Sequence, residues 1–128
     1  MKTQTQFPKN LNKKNFFDVP SEVIVKWDRS YLPISIVIDF EKNYIKETIG
    51  DPSDYTKYYE KNEYSMKRPE IIKKVVRNLI KWYGIKEDPW GNKIIYVRKK
   101  NIKFLRKIIE KYCVLERYFQ QDPVLEEW

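Results

Sequence analysis

Residues 68–113, RPEIIKKVVRNLIKWYGIKEDPWGNKIIYVRKKNIKFLRKIIEKYC, decide the fold, because they hold both long apolar-periodic segments of the chain and a strand-like run between them. Pro69 and Glu70 open a helix. Proline at the first helical position gives up only an amide that has no partner there, and an acid in the first turn suits the helix dipole. Ile72, Val75, Val76, Leu79 and Tyr83 then recur at i, i+3, i+4, i+7 and i+11, one face of a 3.6-residue period, and Gly84 supplies the stop. A second long helix is predicted from Asn101, as its cap, to about residue 119. Its apolar face is Leu105, Ile108, Ile109, Tyr112 and Leu115, with Ile102 and Cys113 at one margin and Phe104 at the other. Between the helices, Asp88-Pro89-Trp90-Gly91-Asn92 has turn chemistry, so a strand at 93–98 and a shorter partner at 84–87 form a hairpin.

The same stretch carries the charge. From Ile71 to Cys113 there are thirteen Lys/Arg against three Asp/Glu, a net of +10 in a chain whose total is +8. Lys73, Arg77 and Lys81 form an i, i+4, i+8 row with Lys74 beside it and no acid among them, which forgoes the mixed-sign pairing that solvated helices use. On the second helix Lys103, Arg106 and Lys107 lie opposite the apolar stripe and continue from Arg98, Lys99 and Lys100. Cations at a helix N-terminus oppose its dipole by about 0.5 kcal/mol each at low salt, but the same amide-rich end suits a phosphate. These ten residues are the candidate nucleic-acid-binding set. Twenty lysines beside six arginines favour phosphate contact over bidentate base reading, so sequence-tolerant binding is expected.

Outward from this stretch the period changes. Segments 22–27, 34–40 and 44–49 alternate apolar and polar residues and read as three half-buried strands in a meander. Gly50-Asp51-Pro52 ends the meander, and Tyr55, Tyr58 and Tyr59 at i, i+3 and i+4 predict a short helix over 52–61. The expected fold is therefore α+β: an antiparallel sheet of four to five strands, with two long amphipathic helices and one short helix on one face. Residues 1–15 hold four lysines, no acid and no periodicity and read as a flexible basic arm; 16–120 form a single domain; 121–128 form an acidic tail.

Composition excludes much chemistry. With no histidine and the single Cys113, the chain lacks the side chains for common zinc sites, an imidazole base, or Ser-His-Asp and Cys-His nucleophiles. Cys113 reads as a small buried hydrophobe. Asp39 and Glu41 after an apolar strand have the D-x-E form of two-metal exonucleases, and Tyr118 with Asp122 has their Y-x-x-x-D spacing. Charged residues closing a strand are the commoner explanation, so neither enzymatic activity nor a metal or cofactor is expected. No apolar run reaches the roughly twenty residues a membrane span requires, which makes the host cytoplasm or the cell's own the expected location. The absence of alanine and the load of Lys, Ile, Tyr and Asn is the usage of an AT-rich coding sequence and points to a viral or mobile-element accessory protein. The rival reading is a protein-interaction module, an inhibitor, adaptor or virion component docking on an acidic protein or on its own copies. Its anchors would be Tyr31, Tyr64, Trp90 and Trp128, since Tyr and Trp dominate interface hot spots.

Overall fold

The computed structural model describes residues 19–27, 33–50 and 59–119, with the backbone alone for 59–61 and 118–119. In chain order the elements are β1 (Glu22–Trp27), β2 (Ile34–Asp39), β3 (Tyr44–Gly50), β4 (Tyr59–Met66), α1 (Pro69–Tyr83), β5 (Lys86–Glu87), β6 (Lys93–Tyr96), α2 (Lys99–Tyr112) and β7 (Cys113–Phe119). The seven strands form one sheet in the order β5-β6-β1-β2-β3-β4-β7. Five of the six neighbouring pairs are antiparallel; the sixth, β6 with β1, is parallel, with Ile24 opposite Ile94 and Lys26 opposite Tyr96.

Alternation decides which face is covered. Val23 and Val25 of β1, Ile34, Ile36 and Ile38 of β2, and Ile45 and Ile49 of β3 are at most 1% exposed and all point to one side. Onto them pack Ile72, Val76 and Leu79 of α1 and Ile102, Leu105 and Ile109 of α2. Each such side chain contributes roughly 1.5–3 kcal/mol on burial, which makes this single layer of contacts the main source of stability. The α+β class and the two helices on one face agree with the sequence reading, and α1 starts and stops where Pro69 and Gly84 predicted. Gly84 has φ +77°, a conformation that favours glycine, and its amide donates to the Ile80 carbonyl to close the last turn.

Several expectations are corrected. The sheet has seven strands and is mixed, because the β5–β6 hairpin returns to the free edge of β1 after a long excursion, and a long connection is what parallel pairing needs. Of the short helix predicted at 52–61, residues 52–58 lie outside the described residues, and the chain from Tyr59 is β4. There the period is two: Asn62, Tyr64 and Met66 turn into the core while Glu63 and Ser65 turn away. Tyr64, expected on a loop as an interface anchor, is 6% exposed for this reason. The second long helix stops at Tyr112, not near residue 119, and Cys113–Phe119 pairs with β4. Val114, Tyr118 and Phe119 are good strand formers, and β4 would otherwise present a row of unpaired backbone groups. Nor does Asn101 cap that helix: Arg98 occupies the cap position without a side-chain bond, and Asn101 Oδ1 accepts from the Tyr83 hydroxyl.

One polar cluster interrupts the apolar face. Glu47, in the middle of β3, is 1% exposed; Asn62 Nδ2 donates to its Oε1 at 3.0 Å, and Arg106 Nε of α2 meets its Oε2. Arg106 Nη2 also lies 3.9 Å from Glu110 Oε2. Burial pushes the Glu47 carboxyl above the usual carboxylate range, against the opposing pull of the Arg106 charge and the Asn62 amide. A folded-state pKa above the unfolded one means that the native state keeps a proton the unfolded chain has released. The contribution to stability is then constant below the ordinary carboxylate pKa and declines as pH rises through the folded value. Arg106→Met removes the opposing cation and moves that value further up. Its stability deficit relative to wild type is predicted to be smallest near pH 4 and to grow toward pH 7, by at most about 1.4 kcal/mol per pH unit. Urea denaturation at several pH values checks this; a deficit that shrinks as pH rises contradicts it.

Candidate nucleic-acid interface

Because α1 and α2 spend their apolar stripes on the sheet, their charged faces point outward together. The C-terminal end of α1 and the N-terminal end of α2 meet where β1 and β6 finish, and the Tyr83–Asn101 hydrogen bond joins them. At the same end the Lys99 ammonium sits 5.7 Å from the centre of the Trp27 ring, and the Val97 amide donates to the Lys26 carbonyl at 2.9 Å. Residues 80–84 and 98–105 contain five cations, Lys81, Arg98, Lys99, Lys100 and Lys103, and no acid. All five are exposed. The first turn of α2 has neither an acidic residue nor a side-chain cap, so its free amide N–H groups add to the positive potential of this end.

The remaining members of the ten-residue set are distributed unevenly. Lys107 is exposed one turn further along α2, and Lys74 is exposed on α1. Lys73 and Arg77 are half-buried, and the Lys73 ammonium lies 5.3 Å from the Phe40 ring centre, beside the turn after β2 at the other end of the helical layer. Arg106 leaves the set, because its guanidinium turns inward to Glu47. It lies between the apolar stripe and the lysine stripe of α2, and only the buried acid on a distant strand decides which way it turns.

Two residues that the sequence reading did not place in a site stand at the cationic end. Trp82 in the last turn of α1 is 66% exposed, and Phe104 in the second turn of α2 is 51% exposed. The signal for Trp82 was its position: it falls off the stripe defined by Leu79 and Tyr83, so a large ring had to project among lysines. Phe104 gave a weaker version of the same signal at the margin of its stripe.

The opposite face of the sheet differs in kind. Lys46, Glu63 and Arg117 lie in one cross-strand row, and the Ser65 hydroxyl donates to Glu116 Oε2 at 2.7 Å. The Tyr44 hydroxyl is pushed up to about 12 by burial and by its hydrogen bond to Glu63. Lys46 and Arg117 on this face therefore each lie opposite an acid on the adjacent strand, whereas Lys26 lies opposite Ser35 and Tyr96.

Trp90 belongs to neither face. It is 84% exposed at the tip of the β5–β6 hairpin, at the end of β6 opposite the cation cluster. Asp88 builds the turn by accepting from the Trp90 and Asn92 amides at 2.9 Å and from Asn92 Nδ2 at 2.9 Å, bonds that hold its carboxyl below the usual range. Tyr31 and Trp128 lie outside the described residues. Asp39 Oδ1 accepts from the amides of Glu41 and Lys42 at 2.9 and 3.0 Å, so this carboxylate orders the β2–β3 turn. Among the described residues no three of His, Cys, Asp or Glu cluster as metal ligands, and no helix is long and apolar enough to cross a membrane. Burial pushes the Cys113 thiol up to about 11, which leaves it little thiolate character at neutral pH. Comparison with protein-family models, with curated proteins and with solved structures finds no match.

Proposed function

We propose that this protein is a small basic accessory protein that binds nucleic acid through phosphate contacts with little sequence preference. The observation that carries the reading is the segregation of charge: among the described residues, segments 80–84 and 98–105 bring five exposed cations and no acid to one end of the helical layer, whereas on the opposite sheet face Lys46 and Arg117 flank Glu63 in one cross-strand row. Such a concentration of like charge costs self-repulsion in the free protein, and a polyanion that displaces its own counterions relieves it. Lysines supply four of the five charges, which suits positioning on a backbone more than base reading. Fluorescence anisotropy of labelled oligonucleotides, titrated over salt, is expected to give a log–log slope corresponding to several phosphates, at about −0.9 each for duplex and −0.7 for single strands. The Lys81→Glu/Lys100→Glu/Lys103→Glu variant is expected to lower affinity by on the order of tenfold or more and to flatten the slope. Unchanged binding by this variant removes the helical face from the account.

The exposure of Trp90 favours a second reading, a protein-interaction module. A ring left 84% exposed on a turn that Asp88 holds in one shape is a pre-organised anchor of the sort interfaces use. Its occupant would be an acidic protein or another copy of the chain. Trp90→Ala is expected to leave thermal stability within about 0.5 kcal/mol of wild type, since it removes little buried surface. Loss of a pull-down partner in that variant with nucleic-acid binding intact would favour the interaction reading, and retention of both would remove Trp90 from it.

A further inference from the structure

Exposed aromatic rings are not what a phosphate-binding surface needs, and the cationic end has two of them. Trp82 and Phe104, 66% and 51% exposed, come from the last turn of α1 and the second turn of α2, the ends tied together by the Tyr83–Asn101 hydrogen bond. Packed helices are separated by about 8–10 Å. The two rings therefore project from neighbouring helix ends that one strand can cross. Lys81 precedes Trp82, Lys103 precedes Phe104, and Lys100 lies one turn before it. Phe104 therefore has a cation on its own helix face, Lys100 at i−4, and each ring has a lysine as its sequence neighbour.

The surroundings discriminate between kinds of partner. The core of a protein–protein interface is depleted of charge, and aromatic anchors there sit among other apolar groups. These rings stand among five cations, and the aliphatic side chains of the same turns are turned into the core: Leu79 is 1% exposed, and Ile102 and Leu105 are fully buried. Flat apolar surface joined to regularly spaced negative charge is what complements this arrangement, and unpaired bases on a phosphate backbone supply both. In a duplex the base faces are stacked on one another and inaccessible, so only a single strand can use the rings.

Resting on the phosphate-binding reading above, we infer that the ligand is single-stranded nucleic acid, with bases stacked on Trp82 and Phe104 while Lys81, Lys100 and Lys103 hold the intervening phosphates. The rings act as a sequence-tolerant platform, since every base has a face to stack, and the expected preference is for strandedness. Both side chains project from helices whose buried stripes they do not join, so removing them should spare the fold.

The test compares three fluorescently labelled probes of equal length against the full chain: a thymidine oligonucleotide, the same backbone with abasic sites, and a duplex. The wild type is expected to bind the thymidine strand at least tenfold more tightly than the abasic strand and more tightly than the duplex. Trp82→Ala and Phe104→Ala should each lower affinity for the thymidine strand about tenfold and leave the duplex and abasic affinities within twofold. Trp82→Phe, which keeps a ring, should restore most of the loss, and thermal melts establish that the variants are folded. Equal binding of thymidine and abasic strands by the wild type overturns the stacking platform while leaving the phosphate reading in place. Binding of none of the three probes at low salt overturns both and assigns the rings and cations to an acidic protein.

Discussion

The sheet has one apolar face, and something must cover it. Running from Val97 through β1, β2 and β3 to Met66, that face loses its stability if water reaches it, and the long apolar stripes available to cover it are those of α1 and α2. Both helices carry most of their lysines on positions the stripe leaves free: Lys73, Lys74 and Lys81 on α1, and Lys99, Lys100, Lys103, Lys107 and Lys111 on α2. Covering the sheet therefore has an electrostatic consequence: burying Ile72, Val76, Leu79, Ile102, Leu105 and Ile109 turns most of the chain's excess positive charge outward on the same layer. The charge pattern on which the functional reading rests is a by-product of the packing that makes the fold.

The Glu47–Arg106 pair sits at the junction of these two requirements. A carboxylate at the centre of an isoleucine-rich sheet is costly to bury, and Arg106 meets that cost by leaving the lysine face of its helix. The pair fixes which way α2 is rotated over β3 and β4, because an apolar stripe alone tolerates small rotations and a buried ion pair does not. By orienting α2, it also orients Lys100, Lys103 and Phe104. The Tyr83–Asn101 bond adds the second restraint, holding the ends of the two helices together so that Trp82 and Phe104 stand at one end of the layer.

How much of this was legible in the sequence depended on whether the signal was local. The period-two runs of β1, β2 and β3 and the capped, strongly periodic α1 are local statements, and they came out with their boundaries nearly intact. β4 was not legible because its inward residues include Asn62, a polar side chain that reads as loop until Glu47 is placed opposite it in the next strand. The boundary between α2 and β7 was hidden for a related reason. Cys113 and Leu115 continue the helical stripe, and only the open edge of β4 favours extending them as a strand. The same distinction holds for the site. The lysine rows were visible from spacing, whereas the withdrawal of Arg106, the burial of Tyr64 and the Tyr83–Asn101 bond that joins the helix ends carrying Trp82 and Phe104 are tertiary facts that no spacing on one helix contains.

The proposed polyanion binding is confined to the outer face of the helical layer. Lysine footprinting tests it directly: brief acetylation of the free protein and of the protein saturated with a thymidine oligonucleotide, read lysine by lysine by mass spectrometry. Protection is expected at Lys81, Lys100, Lys103 and Lys107, with Lys46 on the opposite sheet face and Lys86 and Lys93 on the β5–β6 hairpin unchanged. Equal protection of both sets, or protection of the sheet face alone, would contradict the account.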